Sequence, residues 1–155
     1  MFAKGDVLPS ELFRLARHDF TAFTHVTNVA GYCVILAQHL GINTQEELRK
    51  IATAAMLHDI GKRNVPARIL TKTGELTADE RCTLESHTTR GYIELCQNRD
   101  FDFGQLMMVY QHHENVDGTG YPVRVLKDEI HPWARMLAVV DVFDSMTARV
   151  NFCAR

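Results

Sequence analysis

The residues most able to do chemistry in this chain are its eight histidines, at positions 18, 25, 39, 58, 87, 112, 113 and 131. His58 is followed at once by Asp59, His112 by His113, and Asp141 lies on a later apolar segment. Neutral imidazoles and ionised carboxylates are metal donors, and without thiolates they suit iron, manganese or zinc rather than copper(I). A single inward histidine is ordinarily a core residue bonded to a backbone carbonyl. Five histidines and two aspartates meeting in one interior are another matter. Each buried polar group without a partner costs about 1–3 kcal/mol, and a buried carboxylate costs more. A cationic metal cluster is the one partner that satisfies all seven. Lys62 follows Asp59 by three residues, just past Gly61, a candidate left-handed helix terminator that would swing the ammonium over the site, where it could hold a phosphate oxygen.

Helices must position such a set, and positions three, four or seven apart share a helix face. His25 shares one with Ala22, Val29, Cys33 and Leu36; Ile51 and Ala55 lead to His58; Leu84, His87, Gly91 and Leu95 align. Met108 precedes His112, Val109 precedes His113, and Leu137 precedes Asp141, each by four. Five helices thus aim ligands inward. The periodicity predicts an all-α bundle of about six or seven helices. Ser10 caps a short first helix to about Arg17, and Asp19 caps a second, stopped by Gly41. Thr44-Gln45-Glu46-Glu47 is a capping box opening a third helix to about His58, and Thr77-Ala78-Asp79-Glu80 opens a fourth to about Gln97. A fifth helix runs from near Asp102 to His113, a loop spans Glu114 to Pro122, and the last helix begins at Pro132. Between them, Val65 to Gly74 reads as a connector with one short turn of helix, and Val123 to Ile130 is open between loop and small hairpin.

Composition narrows the function classes. With 17 Lys+Arg against 19 Asp+Glu the formal charge is −2, which excludes a footprint for a nucleic acid polymer or an anionic membrane surface. At 155 residues and 46% hydrophobic, the chain should bury roughly 68–70% of its unfolded surface as one domain. No apolar run reaches the ~18 residues that span a bilayer, and no signal-peptide pattern opens the chain, so a cytoplasmic location is expected. The four cysteines, Cys33, Cys82, Cys96 and Cys153, form no C-x-x-C pair and read as reduced core fillers.

His58-Asp59-Ile60-Gly61-Lys62 resembles the signature of the HD phosphohydrolase superfamily. His112-His113-Glu114-x-x-Asp117-Gly118-x-Gly120-Tyr121-Pro122 resembles that of its HD-GYP subfamily, with eight specified residues in an eleven-residue window. The resemblance covers residues 19–148. It implies a metal-dependent phosphodiesterase that hydrolyses cyclic di-GMP to pGpG or onward to GMP. It also implies the ligand set: His25, His58, Asp59 and Asp141 match the superfamily's metal ligands, and His87, His112 and His113 match the additional HD-GYP histidines that complete a second metal. Asp59 is the implied bridge and, with Lys62 near the scissile phosphate, the implied catalytic pair. Gly120, Tyr121 and Pro122 match a loop implicated in docking GGDEF-domain partners, and homodimerisation is a family habit.

Thr21 stands where trinuclear members carry a glutamate, which predicts two divalent metals, iron or manganese before zinc. The chain reads Asp144-Ser145-Met146-Thr147-Ala148-Arg149-Val150-Asn151 where the family continues with Arg-Pro-Tyr-Arg and further helices, which predicts a truncated or degenerate domain. Two metals about 3.5–4 Å apart would activate a water for in-line attack on phosphorus. The competing expectation is a catalytically impaired signalling module that recruits a GGDEF-domain partner through the Gly-Tyr-Pro loop.

Overall fold

The computed structural model describes residues 20–150, with side chains from 22 to 147. The expected helix from Ser10 to Arg17, the Asp19 cap, the side chain of Thr21 and Cys153 lie outside the described residues.

The described residues form an all-α fold. In chain order it has α1 (Phe20–His39), α2 (Gln45–Leu57), a 3-10 turn (Ile60–Asn64) and a single helical turn, α3 (Ala67–Leu70). Then come α4 (Ala78–Glu85), α5 (His87–Leu95), α6 (Phe103–Gln111), a second 3-10 turn (Lys127–Glu129) and α7 (Pro132–Val150). The expected stop at Gly41 holds: its φ is 88°, and Ile42 N–H reaches back to the Ala37 carbonyl at 3.0 Å, closing the helix end. Thr77 and Glu80 form the full reciprocal box expected at α4. At α2 only half the box forms. The Thr44 side chain accepts from Glu47 N–H, while the Glu47 carboxylate takes the Thr44 hydroxyl instead of its backbone N–H. Asp102 and Gln105 supply a full box at α6.

The expected single helix from Ala78 to Gln97 is two helices, divided at Ser86 and ending at Leu95. The Ser86 hydroxyl donates to the Thr83 carbonyl at 2.6 Å, the local competition that lets serine interrupt a helix. The two pieces also have different environments: α4 has no buried residue, whereas α5 buries His87, Thr88, Gly91 and Leu95. The segment left open after Val123 is a loop carrying one antiparallel bridge, Asp117 to Leu126, and the second 3-10 turn.

Helices α1, α2, α6 and α7 close around Val29, Cys33, Ala37, Ile51, Ala54, Ala55, Met108 and Leu137, with Trp133 packed at the edge. Leu57, Leu95 and Val109 make a smaller cluster joining α2, α5 and α6. Fully burying a Leu or Ile contributes about 1.5–3 kcal/mol, so this core fixes the helix ends that carry the polar residues. Of the described cysteines only Cys33 fills the core; Cys82 and Cys96 are exposed, because they fall on the solvent faces of the two short helices created by the Ser86 break or at their ends. Among the described residues no helix is long and apolar enough to cross a membrane.

Candidate metal centre

All seven ligand candidates come together, in two adjoining groups. Asp59, His87, His112 and His113 form one, and His25, His58 and Asp141 the other, with the donor atoms within each group no more than 4.8 Å apart. The donors sit mostly at helix ends: His58 caps α2, His87 opens α5, His112 caps α6 and His113 follows it. His25 and Asp141 project from within α1 and α7.

Asp59 lies between the groups. One carboxylate oxygen is 3.4 Å from His58 Nε2; the other is 3.4 Å from His87 Nε2 and 3.9 Å from His112 Nε2. What brings Asp59 to His87 is Gly61. A Cβ on Gly61 would meet the His87 carbonyl oxygen at 1.9 Å and Gly91 N at 2.7 Å, so the 3-10 turn can lie on α5 only if that residue is glycine. Gly61 was expected to be a left-handed terminator; its φ is not positive, and close approach is the reason glycine is needed. Lys62 nevertheless reaches the centre, donating to the Asp59 oxygen that faces His58.

Three imidazoles have their tautomer fixed in the same way. His58, His87 and His112 each place Nδ1 at 2.7, 2.7 and 2.9 Å from the carbonyl three residues earlier, those of Ala55, Leu84 and Val109. A carbonyl only accepts, so Nδ1 carries the proton and Nε2 is left to the centre. His87 Nε2 and His112 Nε2 then face each other at 3.5 Å as two acceptors, beside an ionised carboxylate. His58 Nε2 and Asp59 Oδ1 are buried without a hydrogen-bond partner. This is a donor set that requires a cation, and hard or borderline divalent ions fit it.

His25 is oriented by a different device: its Nδ1 lies 2.7 Å from Asp144, which also accepts from Asn28 at 3.0 Å, while its Nε2 lies 3.1 Å from Asp141. Asp144 and Asn28 are partners that sequence reasoning did not name. The signal was present for Asp144, a second aspartate one turn beyond Asp141 on the same face and 3% exposed. Glu114 likewise acquires a role. It is 5% exposed, and its carboxylate accepts from Val123 N–H at 2.6 Å and Arg124 N–H at 3.0 Å, pinning the Gly-Tyr-Pro loop.

The proton affinities divide along the same line. The hydrogen bond that His25 donates to Asp141, then the one it donates to Asp144, raises it to about 9 against the pull of burial. Burial acts to lower His58, but the negative charge of Asp59 at 3.4 Å raises it on balance. Burial acts to raise Asp59, yet His58, Lys62 and His112 carry it well below the carboxylate range. Burial, opposed by Asp59, lowers His87. Burial and then His113 push His112 well down, while burial and then His87 bring His113 to about 4. The carboxylates thus favour the charged form of His25 and His58 on one side, while burial disfavours it in the three imidazoles on the other.

Beside the centre a cavity of about 370 Å³ opens, lined by Glu85, His112, His113, Tyr121, Asp141 and Val142 among others. Gly120 is buried, and Tyr121 leans on His113 and His87 with ring centroids 4.8 and 6.2 Å away.

A family model described as HD domain matches residues 8–154. The chain is 42% identical over 123 residues to the cyclic di-GMP phosphodiesterase response regulator RpfG of Xanthomonas campestris pv. campestris, covering 78% of this chain and 31% of that protein. It is 37% identical over 133 residues to 3'3'-cGAMP-specific phosphodiesterase 2 of Vibrio cholerae serotype O1, covering 83% and 24%. With the cyclic di-GMP phosphodiesterase of Thermotoga maritima the identity is 35% over 133 residues, covering 84% and 36%. Bd1817, an HDG"Y"P protein from Bdellovibrio bacteriovorus, shares the fold, with a TM-score of 0.71 at 22% identity over 89% of this chain and 45% of that one. The chain therefore spans between 24% and 36% of the length of these curated relatives.

Proposed function

From the premise that this chain belongs to the HD domain family, we propose that it is the hydrolytic unit of a metal-dependent phosphodiesterase acting on a cyclic dinucleotide. Cyclic di-GMP is the first substrate, with pGpG or GMP as product. The observation that carries this reading is Asp59, a half-buried carboxylate with one oxygen buried and unpartnered, set between two groups of donor atoms each gathered within 4.8 Å. His25, His58 and Asp141 would hold one divalent ion, His87, His112 and His113 the other, with Asp59 shared. Iron or manganese is the preferred pair and zinc is compatible. When bound, the ions would supply Lewis acidity toward a phosphate oxygen and an activated water for attack on phosphorus.

The protein's own residues do the rest. His58, His87 and His112 are at most 1% exposed, so charge placed at the centre is poorly screened and strongly felt. Asp141 and Asp144 fix the ring of His25, and backbone carbonyls fix the other three rings. Lys62, 39% exposed at its side chain, sits on Asp59. Its ammonium, already at the centre, would turn from Asp59 to a phosphate oxygen of bound substrate. A cytoplasmic location is part of the same proposal.

The test is incubation of iron- or manganese-loaded protein with cyclic di-GMP and, in parallel, 3'3'-cGAMP. Linear product from at least one is expected, falling at least about 10³-fold for Asp59→Asn. Turnover of neither by protein carrying two metal equivalents would refute the assignment. One observation favours the second reading, a docking module for a GGDEF-domain partner. The outer surface of the loop that includes Pro122 carries exposed Val116, Val123 and Leu126. Partner capture lost on Val123→Asp yet retained in Asp59→Asn would support that role.

A further inference from the structure

Of the five histidines at the centre, four are oriented by a hydrogen bond to a ring nitrogen: His25 by Asp144, and His58, His87 and His112 by backbone carbonyls. Among the described residues no such bond reaches His113. What it has instead is ring contacts, the His87 ring edge-on at 5.2 Å and two tilted ones. The His112 ring lies at 4.1 Å with a 43° tilt, and the Tyr121 ring at 4.8 Å with a 30° tilt, the closest to parallel of the ring pairs at the site.

Tyr121 is itself held with some care. Its N–H donates to the His113 carbonyl at 3.1 Å, so the two residues are tied through backbone as well as ring. Gly120 brings the chain there: a Cβ would lie 2.4 Å from the His113 carbonyl oxygen, 2.5 Å from Glu114 Cα and 2.3 Å from Asn115 N, which no side chain tolerates. On the far side the Glu114 carboxylate grips Val123 N–H and Arg124 N–H, and Arg124 is kept at a φ of 65° that a residue with a Cβ rarely adopts. The run from His113 to Arg124 is thus a closed clamp whose inner face is the tyrosine ring.

We infer that Tyr121 is a positioning residue for the metal centre, its ring face holding the His113 imidazole in the orientation that the other four histidines obtain from hydrogen bonds. The inference rests on the metal-centre reading above and deepens it. It gives the tyrosine an inward duty, distinct from any partner it meets on the outside of the loop. The face of the ring is what acts, so the hydroxyl is dispensable.

The test is titration of the metal-free full chain with Co²⁺, followed by its visible absorption, together with metal stoichiometry by element-resolved mass spectrometry after dialysis. Wild type is expected to bind two equivalents. Tyr121→Ala should weaken one of the two about 10-fold and leave the other unchanged, since residues that orient a ligand typically cost 10–100-fold in affinity. Tyr121→Phe should stay within about 2-fold of wild type on both. Tyr121→Leu keeps apolar bulk in the clamp and serves if the alanine variant folds poorly; it should lose the same single equivalent. A general loosening of the fold would weaken both equivalents together, and that pattern overturns the inference. So does full retention of both in the alanine and leucine variants, or a phenylalanine variant as impaired as alanine. Wild type binding fewer than two equivalents is the separate outcome that removes the metal-centre reading, and this inference with it.

Discussion

At the scale of single residues, His25 and the trio of His87, His112 and His113 are pushed in opposite directions, and this has a consequence for stability in the metal-free protein. A histidine raised by folding contributes stability that is present below the unfolded value of about 6.5 and lost as pH climbs through its folded value. For His25, raised to about 9 chiefly by Asp141, that loss occupies the window from about 6.5 to 9. His87, His112 and His113, lowered chiefly by burial, act in the other window: their contribution is present above 6.5 and lost as pH falls below it. Chelated protein should therefore melt at its highest temperature near pH 6.5 and lower on both sides. Replacing His25 with Gln should lessen the fall on the alkaline side, leaving the share that His58 contributes, and leave the acid side unchanged. A melting temperature that rises steadily from pH 6.5 to 9 would contradict the Asp141 and Asp144 contacts.

The helices and turns place these residues, and the most demanding contact is that between the first 3-10 turn and α5. Gly61 lies so close to the His87 carbonyl that an added methyl has nowhere to go, and the atom in its way is backbone. Gly61→Ala should cost about 3 kcal/mol in urea unfolding, the upper end of the usual overpacking range, and should also separate Asp59 from His87. Gly31→Ala is the control: nothing lies within 4 Å of its added Cβ, and its position inside α1 should make it neutral or slightly stabilising. Equal stability of the two variants would show that the turn does not rest on α5 as described.

For the molecule as a whole, the two donor groups join α1, α2, α5, α6 and α7 through side chains, across a core that already packs α1, α2, α6 and α7. A ligand that binds only the folded state stabilises it by mass action, about 2.7 kcal/mol at a free concentration 100 times its Kd. Saturating manganese should raise the melting temperature by several degrees, and the increase should vanish with chelator. The gathering of the seven candidate donors was legible in the sequence because helical spacing puts six of them in line with apolar neighbours and Asp59 directly follows one of those, and a polar residue on a buried face is informative whatever its partner. His-Asp and His-His pairs at helix ends also mark where chains turn. Asn28 was not legible, since its only relevant contact is with a residue 116 positions away. The Ser86 break was missed because residues 78–97 keep one continuous helical pattern, and the interruption comes from a hydroxyl competing for the Thr83 carbonyl. The grip of Glu114 on Val123 and Arg124 depends on loop geometry that periodicity does not encode.

That break gives the chain a third place where a helix ends at the metal centre. The carbonyls that fix His58, His87 and His112 belong to Ala55, Leu84 and Val109, in the last turns of α2, α4 and α6. Such a terminus carries roughly half a negative charge; at α4 the positive start of α5 beside it offsets this, which leaves the ends of α2 and α6 directed through His58 and His112 at the centre. These two ends favour a cation at the centre over an anion. Dinucleotide should therefore bind measurably by calorimetry only after metal has been added, which makes the order of loading a property of the backbone.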